Sequence, residues 1–294
     1  MIRNDVEFDS SGTTCRAWWY RPDGSAPAPV IVMAHGLGGV RQMRLDAFAE
    51  RFTEAGYSCL VFDYRHFGDS DGEPRQLLSI RRQLDDWAAA IAFARRLDGV
   101  DSSRIVLWGT SFGEGHVLVA GRRDGRVAAV ISQCPFTSGI ASTAALGVVS
   151  GAKVTVRALA DIVGSAFGRP PVTVGLAGEP RTAALMTAPD AVSGYLPLIP
   201  EGLELPNEVA ARVGLTIPLH SPGRALKDLD CPTLLCVCDG DTVAPARPTV
   251  KYARRAPRAR VIRYPVGHFD IYVGDDFEQV VADQLEFLRA SVPV

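Results

Sequence analysis

A strand that passes through a tight glycine turn into a helix is the feature that most restricts the fold of this sequence. Residues 104–108 form a short apolar run after a charged turn, which is the pattern of a buried strand. Gly-Thr-Ser-Phe-Gly at 109–113 follows, and a helix-compatible segment continues to about Gly121. The two glycines let the strand bend sharply into the helix and leave Ser111 in a strained backbone position. The sequence therefore predicts a serine hydroxyl at the carboxyl end of a strand.

Strands and helices alternate along most of the chain. Residues 6–21 have the pattern of a two-stranded ribbon that turns near Gly12. The further strands are expected at 30–34, 58–63, 105–108, 127–131, 231–238 and 260–264. The further helices are expected at 44–55, 77–97, after Ser111, 246–255 and 277–290. This alternation predicts an α/β fold with a mostly parallel, doubly wound sheet and helices on both faces.

The alternation stops after Pro135 and resumes only near residue 226. The residues between, 137–225, are rich in Ala, Gly, Val and Pro and show no clean sequence of strands and helices. We therefore expect one α/β core built from residues 1–136 and 226–294. Residues 137–225 are expected to be an insertion after the sixth strand that forms a cap or lid.

Composition excludes several classes of function. With 294 residues, 47% of them hydrophobic and 22% charged, the chain has the make-up of an ordinary soluble globular protein. A net charge of −2 gives no electrostatic reason to expect nucleic acid as a partner. No apolar run approaches the ~20 residues of a membrane span, and the first residues form no apolar leader. The six cysteines match neither a zinc site nor a disulfide scaffold, which favours a cytoplasmic protein with reduced, structural thiols and no metal.

The hydroxyl of Ser111 needs a general base, because a serine is a poor nucleophile at neutral pH. His268 follows the last strand on a loop that contains a glycine, so its imidazole can reach back over the edge of the sheet. We therefore predict that His268 is the base. The other four histidines are expected to serve in packing or hydrogen bonding: His35, His66, His116 and His220.

The histidine in turn needs a carboxylate to orient it, which should end a strand between the serine and the histidine in sequence. The strand before the last one runs into such a turn. Asp241 is the preferred candidate, since Gly240 marks a bend after which a side chain can point at the histidine loop. Asp239 is the alternative, although its side chain is also suited to forming the turn itself. Asp230 and Asp270 are less suitable.

Acyl transfer also requires hydrogen-bond donors for the negative charge that develops on the substrate oxygen. The glycine-rich segment 35–39 directly follows the first long parallel strand, so its backbone can turn with the amides facing the serine. The predicted pair of donors is the backbone N–H of Leu37 and that of Phe112, the residue after the nucleophile. One such donor is typically worth about 3–4 kcal/mol in the transition state. We expect His35 to brace this turn.

Together these elements resemble the α/β-hydrolase superfamily, in particular the branch of serine-aminopeptidase-like and dienelactone-hydrolase-like esterases. Residues 35–39, 62–72 and 108–113 carry the resemblance, which covers the predicted core. It implies hydrolysis of esters, thioesters or amides through an acyl-serine, without a cofactor. The chain departs from similar sequences at Glu114, where glycine or alanine is common. We expect this carboxylate to interact with the helix dipole or with an arginine.

The cap should decide the substrate, and its many small apolar residues are suited to sheltering a small or lipophilic ester. We therefore expect a serine-dependent carboxylic ester hydrolase. A thioesterase or an acyltransferase of a biosynthetic pathway is the alternative. A peptidase is less well supported, because no arginine pair stands out as a clamp for a terminal carboxylate. A binding protein without catalysis is also less well supported, since it would need none of the three residues. A homodimer remains open.

Overall fold

The computed structural model describes residues 1–24 and 26–294. Within these residues, eleven strands form two sheets. The strands are β1 (Ile2–Ser10), β2 (Thr13–Arg21), β3 (Ala28–Ala34), β4 (Ser58–Phe62), β5 (Val100–Thr110), β6 (Ala129–Gln133), β7 (Thr173–Ala177), β8 (Ala184–Met186), β9 (Glu208–Ala210), β10 (Thr233–Cys238) and β11 (Ala259–Tyr264). The helices are α1 (Leu45–Glu54), α2 (Ile80–Ala94), α3 (Phe112–Asp124), α4 (Gly139–Ala145), α5 (Val148–Ala166), α6 (Ala191–Tyr195), α7 (Val213–Thr216), α8 (Ala246–Ala253) and α9 (Gly274–Ser291).

The large sheet has the strand order β1-β2-β4-β3-β5-β6-β10-β11. The hairpin β1–β2 and the join of β2 to β4 are antiparallel, and every other neighbouring pair is parallel. The expected mostly parallel α/β fold is thereby confirmed. Because β3, β5, β10 and β11 all run in the same direction, their carboxyl ends meet at one edge of the sheet. The candidate site lies along this edge.

Both faces of the sheet are covered by helices, which explains why its central strands are continuous apolar runs. Every residue of β3, β4, β6 and β10 is buried. On one face, the ring of Trp108 packs against Phe48 of α1 and its indole N–H donates to Gln284 of α9. On the other face, the neighbouring Gly109 lies against α3. All six cysteines are free and buried.

The segment between β6 and β10 has a secondary structure of its own. It contains α4 to α7 and a small sheet of strand order β8-β7-β9, in which β7 pairs with β8 parallel and with β9 antiparallel. Its longest element is the nineteen-residue α5, which buries Val154, Ala158 and Asp161. The carboxylate of Asp161 receives a bidentate pair of hydrogen bonds from Arg212, just before α7. Across residues 1–24 and 26–294, no helix combines the length and the apolar character needed to cross a membrane.

Candidate active site

Ser111 occupies the sharp turn between β5 and α3. Its backbone has φ 55° and ψ −122°, a conformation that costs a non-glycine residue on the order of 1–3 kcal/mol. Its N–H donates to the carbonyl of Gln133 in β6, at 2.8 Å. The flanking glycines are required by close packing: a Cβ on Gly109 would lie 2.5 Å from the carbonyl of Gly113, and one on Gly113 would collide with the carbonyl of His35. The turn is therefore held in its strained shape from both sides.

A continuous chain of short contacts joins Ser111 to His268 and Asp241. The Nε2 atom of His268 lies 3.0 Å from the hydroxyl of Ser111, and its Nδ1 atom lies 2.6 Å from Oδ2 of Asp241. The second carboxylate oxygen of Asp241 accepts hydrogen bonds from the backbone N–H groups of Val243 and Ala244, at 2.8 and 2.6 Å. These bonds fix the direction of the carboxylate. The three side chains predicted from the sequence thus come together at the ends of β5, β10 and β11.

The other carboxylates weighed at the sequence level lie elsewhere. Asp239 forms an ion pair with Arg263 of the neighbouring strand β11, with 2.7 Å between its Oδ1 and the arginine Nε. Asp270 accepts a hydrogen bond from the backbone N–H of Gly267, at 2.7 Å, and so shapes the loop that carries the histidine. Asp230 is exposed. None of the three contacts the imidazole of His268 within hydrogen-bond distance.

The turn after β3 is pressed against the turn that carries the serine. A Cβ on Gly36 would lie 2.7 Å from the Cβ of Ser111 and 2.9 Å from the backbone nitrogen of Phe112, so only glycine fits there. Leu37 and Phe112 line the same cavity as the serine. Within the described residues, the backbone N–H groups of Leu37 and Phe112 donate to no protein acceptor. Both are therefore available to an oxygen bound beside the serine.

His35 supports this turn, as expected. Its Nδ1 atom accepts a hydrogen bond from the N–H of Gly36, at 2.8 Å. Burial lowers the pKa of His35 to about 4, so the ring is neutral near pH 7. The ring also stacks on Tyr272, with 6.0 Å between the centroids. The hydroxyl of Tyr272 hydrogen-bonds that of Thr110, next to the serine.

Three further histidines make contacts of the expected packing and hydrogen-bonding kind. His116 contacts Gln83 at 2.8 Å, and His66 contacts Arg82 at 2.9 Å. His220 stacks its ring on Phe136.

Among the described residues, Glu114 does not have the arginine partner expected from the sequence. It is fully buried in the first turn of α3, and in the described part of the chain no arginine pairs with it. One carboxyl oxygen accepts a hydrogen bond from the hydroxyl of Ser132 in β6. Burial raises the pKa of Glu114 well above its ordinary value, which favours the protonated, uncharged form. The expected arginine partner is therefore replaced by a buried hydrogen bond to Ser132, whereas the position in the first turn of α3 is the one expected for an interaction with the helix dipole.

Two cavities of very different size meet at Ser111. The larger has a volume of about 360 Å³, and none of the residues that line it is charged. Its walls are supplied by α4 and α5, by Met186 at the end of β8, by residues 214, 215, 217 and 218, and by Val243 and Ala244. The smaller cavity, of about 10 Å³, lies on the side of His268 and is bounded by Tyr195, Leu198 and Phe269. The serine therefore faces one chamber large enough for an organic ligand.

Several of these lining residues could not be found by motif. Met186 and Leu37 border both cavities, yet Met186 belongs to a three-residue strand in the region that has no clear sequence pattern. Tyr272 could have been found from the sequence, since it lies four residues after His268 in the same loop. Among residues 1–24 and 26–294, no group of three or more His, Cys, Asp or Glu side chains is arranged to hold a metal ion.

Comparison with known proteins identifies the family and supports the fold. A family model described as the alpha/beta hydrolase family matches residues 31–284. The chain is 55% identical over 290 residues to the quorum-quenching protein AidA of Acinetobacter baumannii (strain MDR-ZJ06), covering 99% of this chain and 95% of that relative. It is 27% identical over 296 residues to a thiohydrolase of Eupenicillium brefeldianum, covering 98% and 94%. The crystal structure of the alpha/beta hydrolase GrgF from Penicillium sp. sh18 shares the fold, with a TM-score of 0.84 at 24% identity over 100% of both chains.

Proposed function

Because the chain belongs to the alpha/beta hydrolase family, we propose that it is a serine hydrolase that cleaves a carboxylic ester through an acyl-serine intermediate. The observation that carries the proposal is the chain of contacts from Ser111 through His268 to Asp241, at 3.0 and 2.6 Å. This arrangement supplies a nucleophile, a base within hydrogen-bond reach and a fixed carboxylate that orients the base.

In the proposed reaction, the hydroxyl of Ser111 attacks the ester carbonyl while Nε2 of His268 accepts its proton. The carbonyl oxygen becomes an oxyanion and receives hydrogen bonds from the N–H groups of Leu37 and Phe112. The carboxylate of Asp241 stabilises the imidazolium. The imidazolium then gives its proton to the departing alkoxide, and the C–O bond breaks to leave the acyl-serine. Water repeats the sequence, losing a proton to His268, and releases the acid.

We assign residues 137–225 to a cap that provides most of the substrate chamber. The assignment is supported by the many lining residues that α4 and α5 contribute to the 360 Å³ cavity. A chamber without charged side chains favours a lipophilic substrate over an ionic one, since a buried charge without a partner is costly. This property also disfavours a peptidase that would bind a terminal carboxylate. A homodimer stays a prediction, which a mass measurement in solution tests.

A fluorophosphonate probe tests the proposal directly. It should label Ser111 in the native protein. The labelling rate of Ser111→Ala and that of His268→Ala should both be far below the native rate. Ser142→Ala is the matched control, because Ser142 lines the same cavity but contacts neither His268 nor Asp241. Equal labelling of Ser111→Ala and the native protein would contradict the assignment of the nucleophile. Turnover of any ester that depends on His268 would exclude a binding protein without catalysis.

Two narrower candidates have support of their own. The similarity to a thiohydrolase favours a thioesterase or an acyltransferase. The 10 Å³ cavity beside His268 favours a lactone, because the leaving oxygen of a cyclic ester stays attached to the carbonyl part and needs no room of its own. An oxygen ester, a thioester and a lactone with the same acyl chain separate these candidates. The largest kcat/KM identifies the class, and product analysis with an added alcohol acceptor distinguishes transfer from hydrolysis.

A further inference from the structure

We propose that the 360 Å³ cavity binds an aliphatic acyl chain and that Gly151 of α5 limits the length of that chain. This inference rests on the proposed ester hydrolysis, since it names the part of the substrate that the cavity receives. It concerns a glycine in the cap that takes no part in the chemical steps. The argument depends on the two sides of Ser111, on the chemistry of the walls and on the space beside Gly151.

The positions of the proton donor and the oxyanion donors decide which part of an ester enters which cavity. The leaving oxygen must lie near Nε2 of His268, because that atom returns the proton to it. His268 borders only the small cavity, whose volume of about 10 Å³ is below the roughly 30 Å³ that one water molecule occupies in the liquid. Phe112 borders only the large cavity, and Leu37 borders both. The acyl chain therefore extends into the large cavity. The leaving group must be small or, as in a cyclic ester, joined to the acyl part.

The size of the large cavity sets the length of chain that it can hold. At roughly 30 Å³ for each methylene-sized group, the liquid volume of a water molecule, 360 Å³ accommodates on the order of ten to twelve such groups. Each methylene that leaves water for an apolar wall improves binding about fourfold. We therefore expect kcat/KM to rise with acyl length to an optimum of about eight to twelve carbons and to fall beyond it.

Gly151 is the place where the wall of this chamber can grow inward without disturbing its neighbours. Val148, Gly151, Val154 and Thr155 line the cavity from α5, and their spacing puts them on one face of the helix. A Cβ on Gly151 would meet no heavy atom within 4 Å, whereas one on Gly214 in the opposite wall would collide with Val154. A side chain at 151 would therefore extend into open space at the cavity wall and not into the protein core.

Gly151→Leu tests the proposal, with Gly164→Leu as its matched control. Gly164 lies in the same helix, does not line the cavity, and its Cβ would meet only the Cβ of Arg169, at 3.7 Å. The assay measures kcat and KM for methyl esters of four to fourteen carbons. Leucine adds four carbons, so the optimum should shorten by about four carbons and the ten-carbon ester should lose ~100-fold in kcat/KM, mainly through KM. The four-carbon ester and Gly164→Leu should keep the native values.

Misfolding is not expected to cause the change in kcat/KM, because leucine is a better helix former than glycine at both positions. Gly151→Ala should give a smaller shift in the same direction. A profile for Gly151→Leu that parallels the native one, or an equal loss for all chain lengths, would overturn the role of Gly151. If the native protein turned over none of the esters, the proposed function would fail. Binding of the same esters to Ser111→Ala would still test the chamber, and affinity that did not depend on chain length would overturn it.

Discussion

Replacing Glu114 by glutamine should change how the stability of the protein depends on pH. The carboxyl group is fully buried, and burial raises its pKa well above the ordinary value of 4.5. At low pH the group is protonated in both the folded and the unfolded chain, and its titration costs nothing. Above pH 4.5 the unfolded chain releases the proton while the folded chain keeps it, which favours unfolding. Glutamine is uncharged at every pH and removes this effect.

The size of the effect follows from proton linkage. Between the two pKa values, the folded state binds one proton more than the unfolded state, so the native protein loses about 1.4 kcal/mol of stability per pH unit through this group. That loss corresponds to about 2–4 °C in Tm per unit. Glutamine can keep the hydrogen bond from Ser132, but it places an amide NH₂ where the structure offers the second carboxyl oxygen no partner. This cost, about 1–3 kcal/mol, is the same at every pH. The slope with pH, and not the absolute stability, is therefore the diagnostic quantity.

Urea unfolding and Tm measured from pH 4 to pH 8 test this reasoning. The difference in stability between Glu114→Gln and the native protein should shift in favour of the variant as the pH rises above 4.5. Glu54→Gln is the control, because Glu54 is an exposed glutamate of α1 and its replacement should leave the pH dependence unchanged. A difference between Glu114→Gln and the native protein that stays constant over this range would refute the buried, protonated state of Glu114.

Two further predictions concern the chemistry at Ser111. Asp241→Asn should lower kcat by about 10⁴-fold, since the amide no longer holds the imidazole in the required tautomer, whereas Asp239→Asn should remain within about twofold of the native rate. An equal loss in both variants would contradict the choice between the two carboxylates. Gly36→Ala should lower kcat by roughly 100-fold, because a Cβ 2.7 Å from that of Ser111 must displace the turn that carries Leu37. A native kcat in Gly36→Ala, measured alongside circular dichroism to verify folding, would show that this close packing is dispensable.

The core of the site could be predicted because its residues lie next to strand ends that a parallel sheet brings together. Ser111 and His268 each follow a strand closely, and each has a glycine within two residues. The choice of Asp241 over Asp239 depended on which side of the bend faces the histidine, and that is a local property of the turn. The large separation along the chain did not hinder this prediction, although the serine and the histidine are 157 positions apart.

Other features depend on register and could not be predicted from apolar runs. The sixth strand was expected at 127–131 and lies at Ala129–Gln133, because its last two residues are polar yet buried. Ser132 donates to Glu114, and Gln133 accepts from Gln284 of α9, at 2.9 Å. The helix expected from 77 is α2, which begins at Ile80, where the side chain of Ser79 caps it. The partner of Glu114 was missed for the same reason, since it requires the register of β6 against α3.

Of all these features, the substrate chamber depends on the largest number of separate segments of the chain. Its walls come from at least five separated segments, several of them strands or helices of three to seven residues, whose stability depends on tertiary packing and not on sequence period. The groups that would perform the chemistry are fixed instead by turns at the ends of the large sheet. A change in the wall at Gly151 can therefore alter which acyl chain fits without moving Ser111 or His268. We expect substrate range and chemical step to be separable by mutation in this protein, with kcat for short esters constant while KM for long esters varies.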